Sequence, residues 1–285
     1  MSRPPRIDAH HHVWDPVRRP QPWTDGLPVL QREFSMEELV PQLHAEGVDG
    51  TVVVHTLASL AETHELLALA AREPLVAGVV GWFDLTDPAL DDVLATARAH
   101  AGGRRLVGAR HQLQVEPDPQ WLTRPEVARG LTCLARHGLA YDVVVSPGQL
   151  AMVATVASRL PEVRFVLDHA GKPPIAGGDL ADWVRDVRAL AAHDNVAVKL
   201  SGLVTEASWS GWNADDLRPV VETVLEAWGP DRTMLGSDWP VCLLADADYA
   251  RVTGAHELLV AGLGPDERDA VRGGTAQRIY GLEVA

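Results

Sequence analysis

The chain has 285 residues, of which 46% are hydrophobic and 22% charged, and its formal net charge is -14 at pH 7. This composition excludes a disordered chain, and the acidic balance disfavours binding to nucleic acid or to anionic membranes. The two cysteines, Cys133 and Cys242, have no paired spacing, which excludes a disulfide framework. With neither a signal region nor an apolar run of membrane-spanning length, a cytoplasmic protein is expected.

Short apolar runs rich in Val, Ile and Leu alternate with amphipathic windows along the chain. Eight runs are predicted as strands: 6–12, 51–55, 75–82, 106–113, 139–145, 163–169, 196–202 and 232–238. Their continuous apolar character is typical of parallel strands that are covered on both faces. A closed barrel and an open doubly wound sheet both fit this alternation. The strand count and the polar residues at the carboxyl ends of six strands favour the barrel. We predict one domain over residues 1–285, a distorted (β/α)8 TIM barrel.

The predicted helices have recognisable ends. Capping signals are expected at Ser35, Ser146 and Asn213, an Asp-Pro start at residues 87–88, and glycine stops at residues 47, 138 and 229. Pro219 predicts a late start or a kink in the helix that follows Asn213. The long connection 13–34 after the first strand is predicted to arch over the barrel mouth.

The first strand ends in three consecutive histidines. In a strand, residues i and i+2 share a face, so His10 and His12 point the same way and His11 the opposite way. Two imidazoles at a strand end can bind one divalent cation or donate to a substrate oxygen. The competing interpretation is a pair of buried structural histidines, which we disfavour because burying two such groups is costly.

The sixth and eighth predicted strands also end in polar groups. Strand alternation predicts that only one of Asp168 and His169 faces the barrel interior. We expect it to be His169, with Asp168 in a structural role or supporting a residue of the site, and Lys172 is left undecided. The eighth strand pairs with the first in a closed barrel, which places Asp238 beside His10 and His12. There a carboxylate can ligate a metal or accept a proton from water, although an aspartate at this point can also simply cap a helix.

Together these strand ends resemble the amidohydrolase superfamily, in particular its lactonase branch, which includes L-fuconolactonase, L-rhamnonolactonase and 2-pyrone-4,6-dicarboxylate lactonase. The resemblance runs from Asp8 to Gly281 and rests on five strand-end motifs: Asp8-x-His10-x-His12, Gly108-Ala109-Arg110-His111-Gln112, Asp168-His169-x-Gly171, Lys199-Leu200-Ser201-Gly202 and Gly236-Ser237-Asp238-Trp239-Pro240.

This resemblance implies a barrel that hydrolyses a lactone. It places His10, His12, His169 and Asp238 at the reaction centre, and it implies that Arg110, His111 and Lys199 bind the substrate. The fourth and fifth strands lack the bridging residue and the histidine of a two-metal centre. Two cofactor states therefore remain: a single zinc-like divalent cation on His10, His12 and Asp238, or no metal.

Seven of the nine tryptophans fall at strand ends or in the connections that follow. Indole faces suit the C–H faces of sugars, so Trp14, Trp82 and Trp239 are predicted to contact the ligand. Packing of the connections on one another is the alternative explanation for such residues.

The predicted activity is hydrolysis of a sugar-acid lactone, similar to L-fuconolactone or L-rhamnonolactone, to the open-chain aldonate. Asp238 would activate water and the histidines would stabilise the oxyanion. Three alternatives stay open: a metal-dependent decarboxylase, a hydrolase of carboxylated lactones such as a dicarboxylate, and a barrel that binds sugars or acids without turnover. The expected partner is a small-molecule lactone, and the sequence does not reveal the oligomeric state.

Overall fold

The computed structural model describes residues 4–284, so residues 1–3 and 285 of the predicted domain lie outside the described part. Eight parallel strands are observed in this order: β1 (Ile7–His11), β2 (Gly50–Val54), β3 (Val76–Gly81), β4 (Leu106–Gln112), β5 (Ala140–Val144), β6 (Phe165–Leu167), β7 (Val196–Leu200) and β8 (Thr233–Leu235). Each falls at one of the predicted apolar runs, and neighbours in sequence are neighbours in the sheet. The predicted (β/α)8 barrel is therefore confirmed.

Helices surround the barrel. They are α1 (Met36–Ala45), α2 (Leu60–Ala70), α3 (Leu90–Ala99), α4 (Pro125–Arg136), α5 (Leu150–Arg159), α6 (Ala181–Ala191), α7 (Leu203–Glu206), α8 (Ala214–Trp228), α9 (Tyr249–Val260), α10 (Pro265–Asp269) and α11 (Thr275–Tyr280). Not one of these helices combines the length and the apolar character needed to span a membrane.

The predicted helix ends have mixed outcomes. Asn213 caps α8 as expected, because its side chain accepts a hydrogen bond of 2.8 Å from the backbone N–H of Asp215. Ser35 precedes α1 without a side-chain capping bond. The expected late start of α8 is wrong, since the helix runs unbroken through Pro219. Gly47, Gly138 and Gly229 all have positive φ, as helix-ending glycines commonly do.

The barrel closes between β8 and β1 through a few hydrogen bonds beyond the regular strands. The N–H of Asp238 donates to the carbonyl of His10 over 2.8 Å, and the N–H of His12 donates to the carbonyl of Trp239 over 2.7 Å. The β1–β2 pairing also changes register between Asp8 and His11. These irregularities agree with the expected distortion, and they bring the end of β8 against the three histidines.

Buried side chains form two apolar clusters on the two faces of the sheet. The larger lies between strands and helices. The smaller fills the barrel interior with small or branched residues such as Ala9, Val54, Ala140, Val166 and Ala197. Polar side chains occupy the interior one or two residues further along the strands, so the site is positioned above this apolar layer.

Candidate active site

A cavity of about 520 Å³, including its opening to solvent, lies at the carboxyl ends of the strands. Its lining residues lie in the last residues of β4 and β5 or in the segments that follow β1, β2, β4, β6, β7 and β8: His12, Trp23, Thr56, Arg110, Gln112, Gln114, Val144, His169, Lys172, Thr205, Asp238 and Val241. We call this cavity the mouth. Because all eight strands are parallel, residues far apart in sequence meet in it.

His10, His12 and Asp238 converge at the base of the mouth. The two Nε2 atoms are 3.2 Å apart, and Asp238 Oδ1 lies 3.4 Å from His12 Nε2 and 3.7 Å from His10 Nε2. Ligands bound tetrahedrally to zinc at 2.0–2.1 Å would be separated by about 3.3 Å. The three buried ligand atoms therefore have the spacing of a single cation site.

Two further observations fit a cation at this point. His12 Nδ1 lies 2.7 Å from the carbonyl oxygen of Val54, which only accepts hydrogen bonds, so Nδ1 carries a proton and Nε2 is the nitrogen available as a metal ligand. Asp238 Oδ1 is buried without a hydrogen-bond partner among the described residues. An orphaned carboxylate oxygen facing two imidazole nitrogens is the arrangement expected of metal ligands.

His10 has two competing neighbours on its other nitrogen. Its Nδ1 lies 3.3 Å from Asp168 Oδ1 and 3.2 Å from Lys199 Nζ. If Nδ1 donates to Asp168, Nε2 keeps a lone pair for a cation; if Lys199 donates to Nδ1, Nε2 carries a proton for a substrate oxygen. The surroundings of His10 thus accommodate both cofactor states. Burial lowers the pKa of His10 well below its ordinary value, so the ring is neutral.

Asp168 and His169 both contribute to the interior, so the expectation that only one would do so is wrong. Strand β6 ends at Leu167, and His169 and Ala170 then adopt left-handed backbone angles, with φ of 54° and 49°. This turn breaks the strand alternation. The rings of His169 and His10 are 4.6 Å apart, while Asp168 lies deeper, beside Arg110 and Lys199.

A glycine makes room for His169 and Asp238, which both line the mouth. Gly202 has a φ of +62°, and a Cβ there would lie 2.6 Å from His169 Nδ1 and 2.9 Å from Asp238 Oδ2. His169 Nδ1 is also 2.9 Å from the Ser201 hydroxyl. Burial lowers the pKa of His169, so this ring too is neutral. Burial alone would raise the pKa of Asp238, but His169, His12 and His10 lower it below its ordinary value.

An ionic layer lies directly beneath the mouth. Lys199 is fully buried, with Nζ 2.5 Å from Asp142 Oδ2 and 3.1 Å from Asp168 Oδ1. The Tyr280 hydroxyl, at the end of α11, donates to Asp142 over 2.7 Å. Arg110 donates to Asp168 over 3.1 Å. Burial raises the pKa of Asp142 to about 6 although Lys199 opposes the shift. At Asp168 burial also acts to raise the pKa, but Lys199, His10 and Arg110 together outweigh it and keep the pKa well below its ordinary value.

Several predicted ligand contacts lie away from the mouth. His111 stacks on Trp121 with ring centroids 3.8 Å apart and bonds Glu116 over 2.8 Å, because it alternates with inward-facing Arg110. Lys199 sits below His10 rather than beside a ligand. Trp82 follows β3, and its backbone N–H donates to Thr63 on α2.

The predicted tryptophans after β1 and β8 pack within the connection 13–34. The ring of Trp14 lies 5.0 Å from Phe34 and 5.2 Å from Trp23, and the ring of Trp239 lies 5.5 Å from Phe34. Trp14 and Trp239 are buried, while Trp23 is 37% exposed and lines the mouth. The connection therefore reaches the mouth, as predicted, with Trp23 as its contact.

Sequence reasoning missed other residues of the mouth, among them Gln112, Gln114, Thr56 and Thr205. Gln112 stands in a recognised motif, and the amide of its side chain donates to the Thr56 carbonyl over 3.1 Å. For most of these residues, the only sequence signal for a place in the mouth was a position shortly after the end of a strand. Lys172, left undecided, also lines the mouth and is paired with Glu206.

Comparison with known proteins agrees with this geometry. A family model described as Amidohydrolase matches residues 7–282. The L-fucono-1,5-lactonase of Burkholderia multivorans is 42% identical, with 97% of this chain and 96% of that protein covered, and the L-fucono-1,5-lactonase of Burkholderia ambifaria is 39% identical, with 98% and 96% covered. A crystal structure of an amidohydrolase from Burkholderia multivorans with bound zinc superposes with a TM-score of 0.91 at 42% identity, covering 98% of this chain and all of that one.

The parallel barrel and its histidine- and carboxylate-lined mouth define a (β/α)8-barrel enzyme of the hydrolase class. The matched region covers nearly all of the chain. The chain belongs to the amidohydrolase family, which confirms the resemblance drawn from the strand-end motifs.

Proposed function

We propose that this chain hydrolyses L-fucono-1,5-lactone or a closely similar sugar-acid lactone to the open-chain aldonate. Two relatives that cover nearly the whole chain are named for this activity. The broader prediction, a hydrolase acting on the cyclic ester of a sugar acid, is confirmed and is favoured over decarboxylation. The proposal extends it to the particular substrate and to the roles of individual residues.

The arrangement of charges in and beneath the mouth is the observation that favours a neutral lactone over a carboxylated one. Three cationic side chains lie in or just under it, and each is paired with a carboxylate: Arg110 with Asp168, Lys172 with Glu206, and Lys199 with Asp142. Asp238 adds a further negative charge. No unpaired lysine or arginine among residues 4–284 lines the mouth to receive a substrate carboxylate. An uncharged, hydroxyl-rich lactone therefore fits better than a dicarboxylate lactone.

The remaining lining groups suit hydroxyl recognition. Gln112, Gln114, Thr56 and Thr205 offer amide and hydroxyl hydrogen-bonding groups, and Trp23 offers an indole ring at the rim. Uncharged donors and acceptors can exchange hydrogen bonds with sugar hydroxyls without the desolvation cost of an unpaired charge. This set is appropriate for a neutral sugar ring.

In the proposed reaction, ionised Asp238 accepts a proton from water as the water oxygen bonds to the lactone carbonyl carbon. The developing oxyanion is stabilised by hydrogen-bond donors at the base of the mouth, with His169 and Arg110 the nearest candidates. The ester C–O bond then breaks, and protonated Asp238 returns its proton to the departing ring oxygen. The product acid ionises, so one proton is released per turnover.

His10, His12 and Asp238 would hold a divalent cation, and the cation would supply carbonyl polarisation and a lower pKa for water. Such assistance matters because the lowered pKa of Asp238 makes it a weak base. His12 is oriented for this task by Val54, and Asp238 by its backbone bond to His10.

A panel of neutral aldonolactones and carboxylated lactones, assayed with a pH indicator with and without a chelator, tests the substrate assignment. We expect turnover of neutral lactones with proton release. Preference for a carboxylated lactone, or release of carbon dioxide from an aromatic acid, would overturn the assignment.

Variants test the residue roles. Asp238→Asn and His169→Ala should each lower kcat by about 10²–10³. Asp194→Asn and His193→Ala provide matched controls, because these residues precede β7 at the opposite end of the barrel. Near-normal turnover in both site variants would refute the roles while leaving the lactonase activity intact.

A further inference from the structure

Helices α3 and α4 bring three different metal-binding side chains together on the outside of the barrel. Asp91 lies in the first turn of α3, Cys133 near the end of α4, and His137 directly after α4. One ligand atom from each lies within 4.8 Å of the other two. We call this group the Asp91–Cys133–His137 cluster, and none of its members lines the mouth.

The sequence positions explain why these side chains meet. Cys133 and His137 are four residues apart, a spacing that places side chains on the same side of a helix. The two helices are tied at this point, since the Arg98 side chain of α3 donates to the His137 carbonyl over 2.6 Å. The cluster is therefore held by backbone as well as side-chain contacts.

The arrangement differs from that of a nucleophilic cysteine site. In such a site the thiol and the carboxylate approach opposite nitrogens of the histidine ring, so that a proton can be relayed. Here Asp91 Oδ1 lies 3.1 Å from His137 Nε2 and 3.6 Å from Cys133 Sγ, so the ligand atoms converge on one point. Convergence of this kind favours chelation over relay.

Two of the three ligand separations match a tetrahedral zinc ion, and the third, between His137 and Cys133, is within 4.8 Å. With bonds of 2.0–2.1 Å to nitrogen and oxygen and 2.3 Å to sulfur, the expected separations are about 3.3 Å for nitrogen to oxygen and about 3.6 Å for sulfur to oxygen. The observed values of 3.1 and 3.6 Å agree with both.

We propose that Asp91, Cys133 and His137 form a second divalent-cation site, selective for zinc-like ions and separate from the mouth. Thiolate, imidazole and carboxylate are the protein ligands zinc prefers, and water completes the four positions on the exposed side of Asp91. Binding displaces the thiol proton of Cys133 to solvent. Arg136, 3.3 Å from Asp91 Oδ1, must move away, and its 66% exposed side chain is free to do so.

The site would link α3 to α4 and act on stability rather than on turnover, because neither helix carries a residue of the mouth. A metal bound only by the native state raises the unfolding temperature in proportion to the logarithm of its concentration.

Cobalt(II) substitution of the purified full-length chain tests the proposal, because a cobalt–thiolate bond gives a charge-transfer band that histidine and carboxylate ligands cannot give. We expect this band in the unaltered protein and its loss in Cys133→Ser. Cys242→Ser, the matched control, should keep the band, since Cys242 is buried beside Asp238 rather than in the cluster.

Because Cys133 is buried, Cys133→Ser could lose the band by misfolding. His137→Gln and Asp91→Asn avoid this problem, since both positions are at least partly exposed. Each should weaken cobalt binding in the charge-transfer assay by at least about tenfold and leave lactone turnover unchanged. Absence of the band at saturating cobalt, its survival in Cys133→Ser, or its loss in Cys242→Ser would overturn the proposal.

Discussion

Replacing Lys199 with methionine removes an ammonium group from the ionic layer beneath the mouth while retaining much of the side-chain volume. Lys199 is fully buried and contacts two fully buried carboxylates, Asp142 at 2.5 Å and Asp168 at 3.1 Å. Removing one partner from a buried ion pair costs about 3–5 kcal/mol, because the other charge is left uncompensated.

The structure places the expected cost near the lower end of that range. Asp168 keeps its bond from Arg110, and Asp142 keeps its bond from Tyr280. Since the pKa of Asp142 is already raised to about 6, loss of Lys199 raises it further and Asp142 takes up a proton near neutral pH. We therefore expect Lys199→Met to lower the free energy of unfolding by about 3 kcal/mol.

Urea unfolding followed by tryptophan fluorescence measures this change. Combining Lys199→Met with Asp142→Asn should restore part of the loss, with a coupling energy of about 1–3 kcal/mol, because no unpaired carboxylate then remains at position 142. Arg188→Met is the control: its exposed pair with Glu226 should contribute at most about 1 kcal/mol.

Lys199→Met should also lower kcat about 10–100-fold, because His10 loses a neighbour that orients its ring. A loss of stability below 1 kcal/mol, strict additivity in the double variant, or turnover within twofold of the unaltered protein would refute the reasoning.

Three further outcomes are expected. Gly202→Ala should reduce kcat at least about tenfold with the fold retained by circular dichroism, since its Cβ would displace His169 and Asp238; normal turnover would contradict this. Burial lowers the pKa of His256 to about 4, so the stability it confers is complete above pH 6.5 and is lost as the pH falls towards 4. Between pH 6.5 and pH 4 the free energy of unfolding of His256→Gln should therefore fall by about 3 kcal/mol less than that of the unaltered protein. An equal fall in both proteins would contradict this role of His256. Asn213→Ala should cost about 1 kcal/mol in urea unfolding, and no change would show that the cap is unimportant.

The fold was largely predictable from the sequence because its signals are local. Each strand is a short apolar run, and several helix ends have a capping residue, a proline or a glycine a few residues away. Parallel strands with helical connections then place all strand ends on one side. That rule alone predicted that His10, His12, His169 and Asp238 would meet, and the structure brings them together.

Tertiary structure decided the depth and direction of the other side chains. Lys199 lies within β7, below the level of the mouth. It was predicted to contact the ligand, but at this depth it pairs with Asp142 at the centre of the buried ionic layer. Asp168 joins that layer two residues after inward-facing Val166, and the left-handed turn that begins at His169 brings the next side chain to the mouth as well. The partner on the far side of the layer, Tyr280, comes from the C-terminal helix.

Neither the register between neighbouring strands nor the packing of the segments that connect strands and helices can be predicted from a short stretch of sequence. Strand alternation sends the neighbours Arg110 and His111 to opposite faces, but only the barrel shows which of them faces inward. Arg110 lines the mouth, and His111 stacks on Trp121. Likewise Trp14 and Trp239 pack against Phe34, and Trp23 lines the mouth. Residue type and spacing therefore determined which groups gather at the barrel mouth. Which of them touch a substrate depends on long-range packing, because side-chain depth is set by how all eight strands close together.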